Sequence, residues 1–275
     1  MEVNFLELEC ADISKKEAVE YKRVNDFKFF NTTYNFLVSH KGLRPGRMHL
    51  LIGPPGSGKS SLLISLITQA AHASRVVVWL SEETRADFLM RLCDHEISTE
   101  VRKNILILSE MDKNFPVKVL SNISKYRNLL EETLKNYNPH VVIFDNITTS
   151  FVYQRMNPAD QGEHCNWLKR ICIDKFALVI CAHTKKGVHD NFKLLELDDI
   201  RGSSNIVNLA EYAYTYQRIS TEGKYFPILR LLKARYHQPG LYFLLKYDPK
   251  TRAYISDQEI KFDDVKKIFS MRDKI

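Results

Sequence analysis

The residues with the clearest chemical purpose are Gly53, Pro54, Pro55, Gly56, Ser57, Gly58, Lys59, Ser60 and Ser61. From Gly53 to Ser60 they fit the spacing G-x-x-x-x-G-K-S/T, which cradles the phosphates of a nucleoside triphosphate. The glycines let the backbone wrap closely around the anion. Successive N–H groups converge as a nest, and the helix that follows adds the positive end of its dipole. In such a loop the Lys59 ammonium reaches the β- and γ-phosphates, and the Ser60 hydroxyl can ligate Mg2+. The flanks agree, with a short apolar strand at 48–52 (MHLLI) and helical periodicity at 60–73 (SSLLISLITQAAHA). The expected ligands are ATP and Mg2+.

Ligands of open α/β sheets sit at the carboxyl ends of the strands, so polar residues there are the next candidates. Asp145 ends the apolar run 141–144 (VVIF) and is expected to hold Mg2+, directly or through water. Its alternative is a capping role in the next loop. Glu82 and Glu83 end the strand after the phosphate-loop helix. Either could orient the attacking water, Glu82 being the stronger candidate. The alternative is a glutamate pair complementing the dipole of the helix at 84–95. His183 ends the run 177–183 (ALVICAH) and reads either as a γ-phosphate sensor or as a structural histidine. Lys233 and Arg235 end a later strand, either as surface charges or as cations that reach phosphate.

The elements that must position these groups alternate between strand and helix. Strands are expected at 75–83, 104–109, 141–146 and 177–183, and helices at 84–95, 117–137 and 162–176, with Thr84 as a cap. That alternation predicts a mainly parallel central sheet in an α/β fold. From about residue 211 closely spaced strands follow, joined by turns such as Thr221-Glu222-Gly223 and Pro239-Gly240. They read as an antiparallel C-terminal extension of the same sheet. The division expected is an N-terminal segment at 1–40, one ATPase domain at 41–258 and a tail at 259–275.

Composition narrows the class. The 275 residues carry a formal net charge of +7, which favours a polyanionic partner or reflects a lysine-rich surface. No apolar run is long enough to span a bilayer and no signal core opens the chain, so a cytoplasmic protein with no membrane partner is expected. Five scattered cysteines, without CxxC or zinc spacing, read as reduced thiols, and no metal site built from protein ligands alone is expected.

Taken together, the motifs resemble the RecA-like hexameric helicases, specifically the DnaB type and the helicase half of phage primase–helicases. The resemblance spans roughly residues 40 to 257. "GLRPGRMHLLIGPPGSGKS" is similar to that family's entry strand and Walker A loop, and "SEETRADFLMRL" to the stretch carrying its catalytic glutamate, which falls on Glu82. "VVIFDN" resembles Walker B, "LVICAHTKKG" the sensor strand with His183, and "DIRGSSNIVNLAEYAYTYQR" the D-x-R-G-S segment. "LRLLKARYHQPG" resembles the segment with a lysine and an arginine finger, here Lys233 and Arg235, which would act on a neighbour's ATP.

The resemblance implies a RecA-like P-loop NTPase core, a homo-oligomeric ring that is usually hexameric, single-stranded DNA in its channel, and a primase or loader as further partner. The length leaves no room for an N-terminal primase or helical collar domain, so a minimal helicase core is expected, with 1–40 as a segment docking on an adjacent subunit. The loops at 146–161 and 184–199 would face DNA through Arg155, Lys185, Lys186 and the Gly187 N–H, making sequence-independent, salt-sensitive contacts. The alternative for these cations is an ordinary solvated surface. Phe151 and Tyr153 are expected to pack their loop onto the body rather than stack on bases. The tail at 262–275 reads as a helix on the domain or as a partner-binding peptide. The expected activity is ATP-dependent DNA unwinding in replication. A RecA- or RadA-like recombination ATPase, a KaiC-like regulatory ATPase and a packaging motor are the rivals.

Overall fold

A computed structural model describes residues 34–38, 42–95, 97–173, 175–185, 193–202, 205–221 and 223–271. Nine strands form one sheet among them: β1 (Met48–Gly53), β2 (Val76–Leu80), β3 (Ile105–Ser109), β4 (Val141–Asp145), β5 (Ala177–His183), β6 (Tyr212–Thr221), β7 (Lys224–Ala234), β8 (Leu241–Asp248) and β9 (Ala253–Ile260). Their order is β3-β2-β4-β5-β1-β6-β7-β8-β9. The first six strands to form neighbours, from β3 to β6, pair in parallel, and the β6–β9 ribbon pairs antiparallel. The mainly parallel sheet with an antiparallel C-terminal extension is therefore what the chain builds.

The parallel strands are buried on both faces, as crossover helices require. In β2, Val76, Val78 and Leu80 join one apolar core while Val77 and Trp79 join the other. The phosphate-loop helix, Lys59–Ala71, buries Leu62, Leu63, Leu66 and Ile67 in the first core. Thr84 caps the helix Arg85–Cys93, its hydroxyl accepting from the Asp87 N–H.

Two helices depart from expectation for local reasons. The span 117–137 is two helices, Val117–Leu120 and Ile123–Tyr137, because the Asn122 side chain accepts from the Lys125 N–H and starts the second anew. The helix expected at 162–176 runs Pro158–Cys172, started by Asn157, which accepts from the Ala159 and Asp160 N–H groups, with proline in the first turn.

The ends pack on the body. Tyr34 donates to the Tyr254 carbonyl at 2.5 Å, and the Asp257 carboxylate accepts from the Asn35 and Phe36 N–H groups. The segment 34–38 thus docks on its own chain; the rest of the expected subunit-docking segment lies outside the described residues. At the other end β9 continues to Ile260. The helix Phe262–Ser270 then buries Val265 and Ile268 against Ile219, Ile228 and Tyr242. The described part of the tail is thus a helix lying on the domain, one of its two readings; residues 272–275 lie outside the described residues. No helix among the described residues is long and apolar enough to cross a membrane.

Candidate nucleotide site

The strand register gathers the candidates at one edge of the sheet. Gly53 at the end of β1 is level with His183 at the end of β5, and Leu80 at the end of β2 is level with Asp145 at the end of β4. Glu82 follows Leu80 by two residues, so Gly53, Glu82, Asp145 and His183 share the carboxyl edge of the parallel strands.

The loop from Gly53 to Gly58 depends on its glycines at two points. A Cβ on Gly53 would stand 2.6 Å from the Tyr216 carbonyl oxygen, and Gly58, which caps the helix, has φ +101° with the Tyr216 hydroxyl 3.2 Å from any Cβ. The Ser57 hydroxyl is buried without a hydrogen-bond partner. A buried unsatisfied hydroxyl, left-handed glycines and a helix N-terminus in one loop fit a bound anion.

Lys59 is 4% exposed. Its ammonium donates to the Gly53 and Pro54 carbonyls at 2.9 and 2.8 Å and lies 3.2 Å from His183 Nδ1. Burial lowers its proton affinity, opposed by Cys181, Asp145 and Glu82. On the far side of the ring, His183 Nε2 lies 2.5 Å from Glu82 Oε1. One tautomer satisfies both contacts: Nδ1 accepts from the ammonium and Nε2–H donates to the carboxylate.

Asp145 is buried and hydrogen-bonded to the Ser60 hydroxyl. Burial raises its carboxyl above the usual range, against the Ser60 hydrogen bond and the Lys59 charge. A hydroxyl and a carboxylate side by side are the donor set expected for Mg2+, a hard cation that keeps waters and phosphate oxygens as its other ligands. No cluster of three or more His, Cys, Asp or Glu suited to a metal occurs among the described residues, so the phosphates would have to complete such a site.

The two adjacent glutamates separate. Burial pushes Glu82 up, but the hydrogen bond from His183, with the Thr149 hydroxyl and the Lys59 charge, brings it below the ordinary value. Glu83 is raised by burial, which the charge of Arg91 only partly offsets. Glu83 pairs with Arg91 on the following helix. Of the pair, Glu82 faces the phosphate loop and Glu83 fastens the helix.

Lys233 and Arg235 lie at the other edge. β6 runs parallel to β1 with Tyr212 level with His49, and Lys233 pairs with Ala213. They are therefore near the amino ends of the parallel strands, away from their own phosphate loop. The Lys233 ammonium donates to the Val207 and Asn208 carbonyls at 2.7 and 2.9 Å, and Arg235 donates to Asn208 O at 2.6 Å. Together they cap the C-terminal end of the helix Asn205–Leu209, where cations are favoured.

The loop candidates are mixed. Lys185 donates to the Asp198 carbonyl at 2.7 Å on the surface. Lys186 and Gly187 lie outside the described residues. Arg155 is exposed, its guanidinium 4.0 Å over the Phe151 ring. Tyr153 packs its loop onto the body and is buried. Phe151 does not: it is 41% exposed, because it opens the short helix Phe151–Gln154 on the outward side.

Sequence reasoning missed the polar residues that brace the acids. Ser81 Oγ donates to the Asn146 carbonyl at 2.6 Å, and Thr148 Oγ1 accepts from the His183 N–H at 3.2 Å. For Asn146 and Thr148 the signal was the run Asn146-Ile147-Thr148-Thr149 directly after the strand-end aspartate. The peptide bond between Asp145 and Asn146 is cis.

The model of the AAA domain matches residues 15–188, more than half of the chain. The chain belongs to that family. No curated protein matches it in sequence. Among solved structures it is similar to a KaiC-like protein from the hyperthermophilic archaeon Pyrococcus horikoshii, with a TM-score of 0.60 and 14% identity over 80% of this chain and 92% of that one. At that identity the likeness is one of fold. The AAA-domain chain thus has the mainly parallel sheet and antiparallel C-terminal strands of the RecA-like P-loop ATPases.

Proposed function

We propose that this protein is an ATP-hydrolysing motor of the DnaB type, which forms a homo-oligomeric ring, usually hexameric, and moves on single-stranded DNA to unwind duplex. The observation that carries the reading is the bridge Lys59–His183–Glu82, which joins the phosphate loop to a sheet-edge acid through a residue directly preceding Thr184 and Lys185. The loop from Gly53 to Gly58, with Lys59, Ser60 and Ser61, would bind the triphosphate of ATP. Ser60 and Asp145 would hold Mg2+, which when bound neutralises developing charge on the phosphates. Glu82, kept ionised by His183, would orient the attacking water and accept its proton.

In this reading Lys233 and Arg235 serve a neighbouring subunit's nucleotide, since the register sets them away from their own. Lys185, Lys186, Gly187 and Arg155 would meet the phosphates of the strand, consistent with the net charge of +7. A primase or loader as partner belongs to the same reading.

The second reading is a KaiC-like regulatory ATPase, favoured by the fold likeness to the Pyrococcus protein. Strand separation on a forked duplex with ATP and Mg2+, with Lys59→Ala as control, discriminates. ATP-dependent unwinding lost in the variant supports the motor. ATP hydrolysis that DNA does not stimulate, with no unwinding, favours the KaiC-like reading. DNA-stimulated hydrolysis without unwinding points to a RecA- or RadA-like ATPase.

A further inference from the structure

Asn146 is buried, 1% exposed, and follows the strand-end Asp145. Its side-chain amide is used at both ends. Oδ1 accepts from the Thr148 N–H at 2.8 Å and from Thr148 Oγ1 at 2.6 Å. Nδ2 donates to Glu82 Oε1 at 3.3 Å. The orientation is forced: a flipped amide would set NH2 against the Thr148 N–H, which can only donate. The backbone of Asn146 is fixed as well, its N–H donating to Ser81 Oγ at 3.0 Å while that hydroxyl contacts the Asn146 carbonyl at 2.6 Å. Ser81 immediately precedes Glu82. Thr148 Oγ1 in turn accepts from the His183 N–H at 3.2 Å.

We propose that Asn146 is a positioning residue for Glu82: its amide and the His183 imidazole both hold Oε1 of the carboxylate, and Thr148 ties both holders to one frame. The assignment rests on the reading that Glu82 orients the attacking water. It adds a residue that neither the phosphate-loop motif nor the family match assigns. The physical need is that Glu82, two residues beyond the end of β2 and with its side chain 39% exposed, has rotamers open to solvent. Two donors converging on Oε1 select one of them, and misplacement by an ångström is costly to a group that must meet a water.

The diagnostic substitution is Asn146→Asp. It keeps an acceptor for Thr148 and nearly the same shape, and replaces only the donor that faces Glu82 with an oxygen that repels it. Thr148→Val removes the hydroxyl that anchors the amide while leaving the Asn146–Glu82 contact in place. ATP turnover, the Kd for MgATP and the unfolding temperature are measured for each. The expected result for Asn146→Asp is a fall in kcat on the order of ten- to a hundredfold, with Kd within about threefold of wild type. Thr148→Val falls in the same direction by less.

Glu82→Gln is measured beside them to separate the two levels of inference. If it lowers turnover while Asn146→Asp keeps wild-type kcat, the positioning role is overturned and the role of Glu82 stands. Loss of kcat, Kd and thermal stability together in both Asn146→Asp and Thr148→Val also overturns it, in favour of a purely structural loop brace. If Glu82→Gln itself leaves turnover unchanged, the reading of Glu82 falls first and this inference with it.

Discussion

The imidazole of His183 stands between Lys59 and Glu82, with Nδ1 3.2 Å from the ammonium and Nε2 2.5 Å from the carboxylate. The chain separations are 124 and 101 residues, so the contact is made by the sheet and not by any local motif. The order of the strands explains it: β5 lies between β4 and β1, which sets His183 beside the phosphate loop and across from the strand ends that carry the acids.

Glu82→Gln keeps the size and one acceptor of the side chain but cannot take a proton. Phosphate release from ATP is expected to fall by about 10²–10⁴-fold. Nucleotide binding, followed separately by fluorescence of a labelled ATP, stays within a few fold, because the loop from Gly53 to Gly58 is untouched. Glu83→Gln is the contrast. It loses its pair with Arg91 and lowers the unfolding temperature slightly, leaving turnover near wild type.

Arg235→Ala and Lys59→Ala should complement each other. Each alone is expected to be inactive in ATP hydrolysis. Mixing the two would create interfaces with an intact phosphate loop on one side and an intact Arg235 on the other, and part of the activity returns. If every mixing ratio stays dead while each variant is folded and assembles, the assignment of Arg235 to a neighbour's nucleotide is sunk, and its cap on Asn208 is its whole role.

His164 gives a pH signature unconnected with turnover. It stacks on Trp167 with ring centroids 5.2 Å apart and is 2% exposed; burial, reinforced by the Arg127 charge, depresses its pKa from 6.5 to about 3. The folded state therefore holds it neutral while the unfolded chain protonates it below about pH 6.5. Its contribution to stability is full above 6.5 and declines as pH falls toward 3, on the order of 1 kcal/mol per pH unit. Urea midpoints measured from pH 7 to pH 4 should show a shallower decline in His164→Phe than in wild type.

Lys169, half-buried, and Glu211, buried, form a pair at the amino edge of the sheet. The ammonium lies 2.8 Å from both carboxylate oxygens and donates to the Gly46 carbonyl at 2.7 Å, while Glu211 accepts from the Met48 N–H that opens β1. Lys169→Met strands a carboxylate that is 2% exposed and should cost about 3–5 kcal/mol in urea unfolding. Adding Glu211→Gln removes the stranded charge, and the double variant should be more stable than Lys169→Met alone.

The sequence by itself determined the phosphate loop, the strand-end position of Asp145 and His183, and the change from a parallel to an antiparallel texture near residue 211; the strand expected to run to Glu83 stops at Leu80, which leaves Glu82 two residues beyond its end. These are properties of short windows: a glycine-lysine spacing, apolar runs of five to seven residues, turn residues between closely spaced strands. Thr84 as a cap was legible for the same reason. Where a single side chain outweighed the periodicity, as Asn122 did in splitting the span 117–137, the window misled.

The tertiary structure alone decided which glutamate meets the histidine, since Glu82 and Glu83 are neighbours in sequence and opposite in environment. It alone separated Phe151 from Tyr153 and set Lys233 and Arg235 at the edge away from their own phosphate loop. It alone revealed Asn146 as the partner of Glu82. The physical reason is common to all of these. Alternation along a strand says which face a side chain takes, but its partner comes from another strand whose place in the sheet is set by crossovers and core packing far away in the chain.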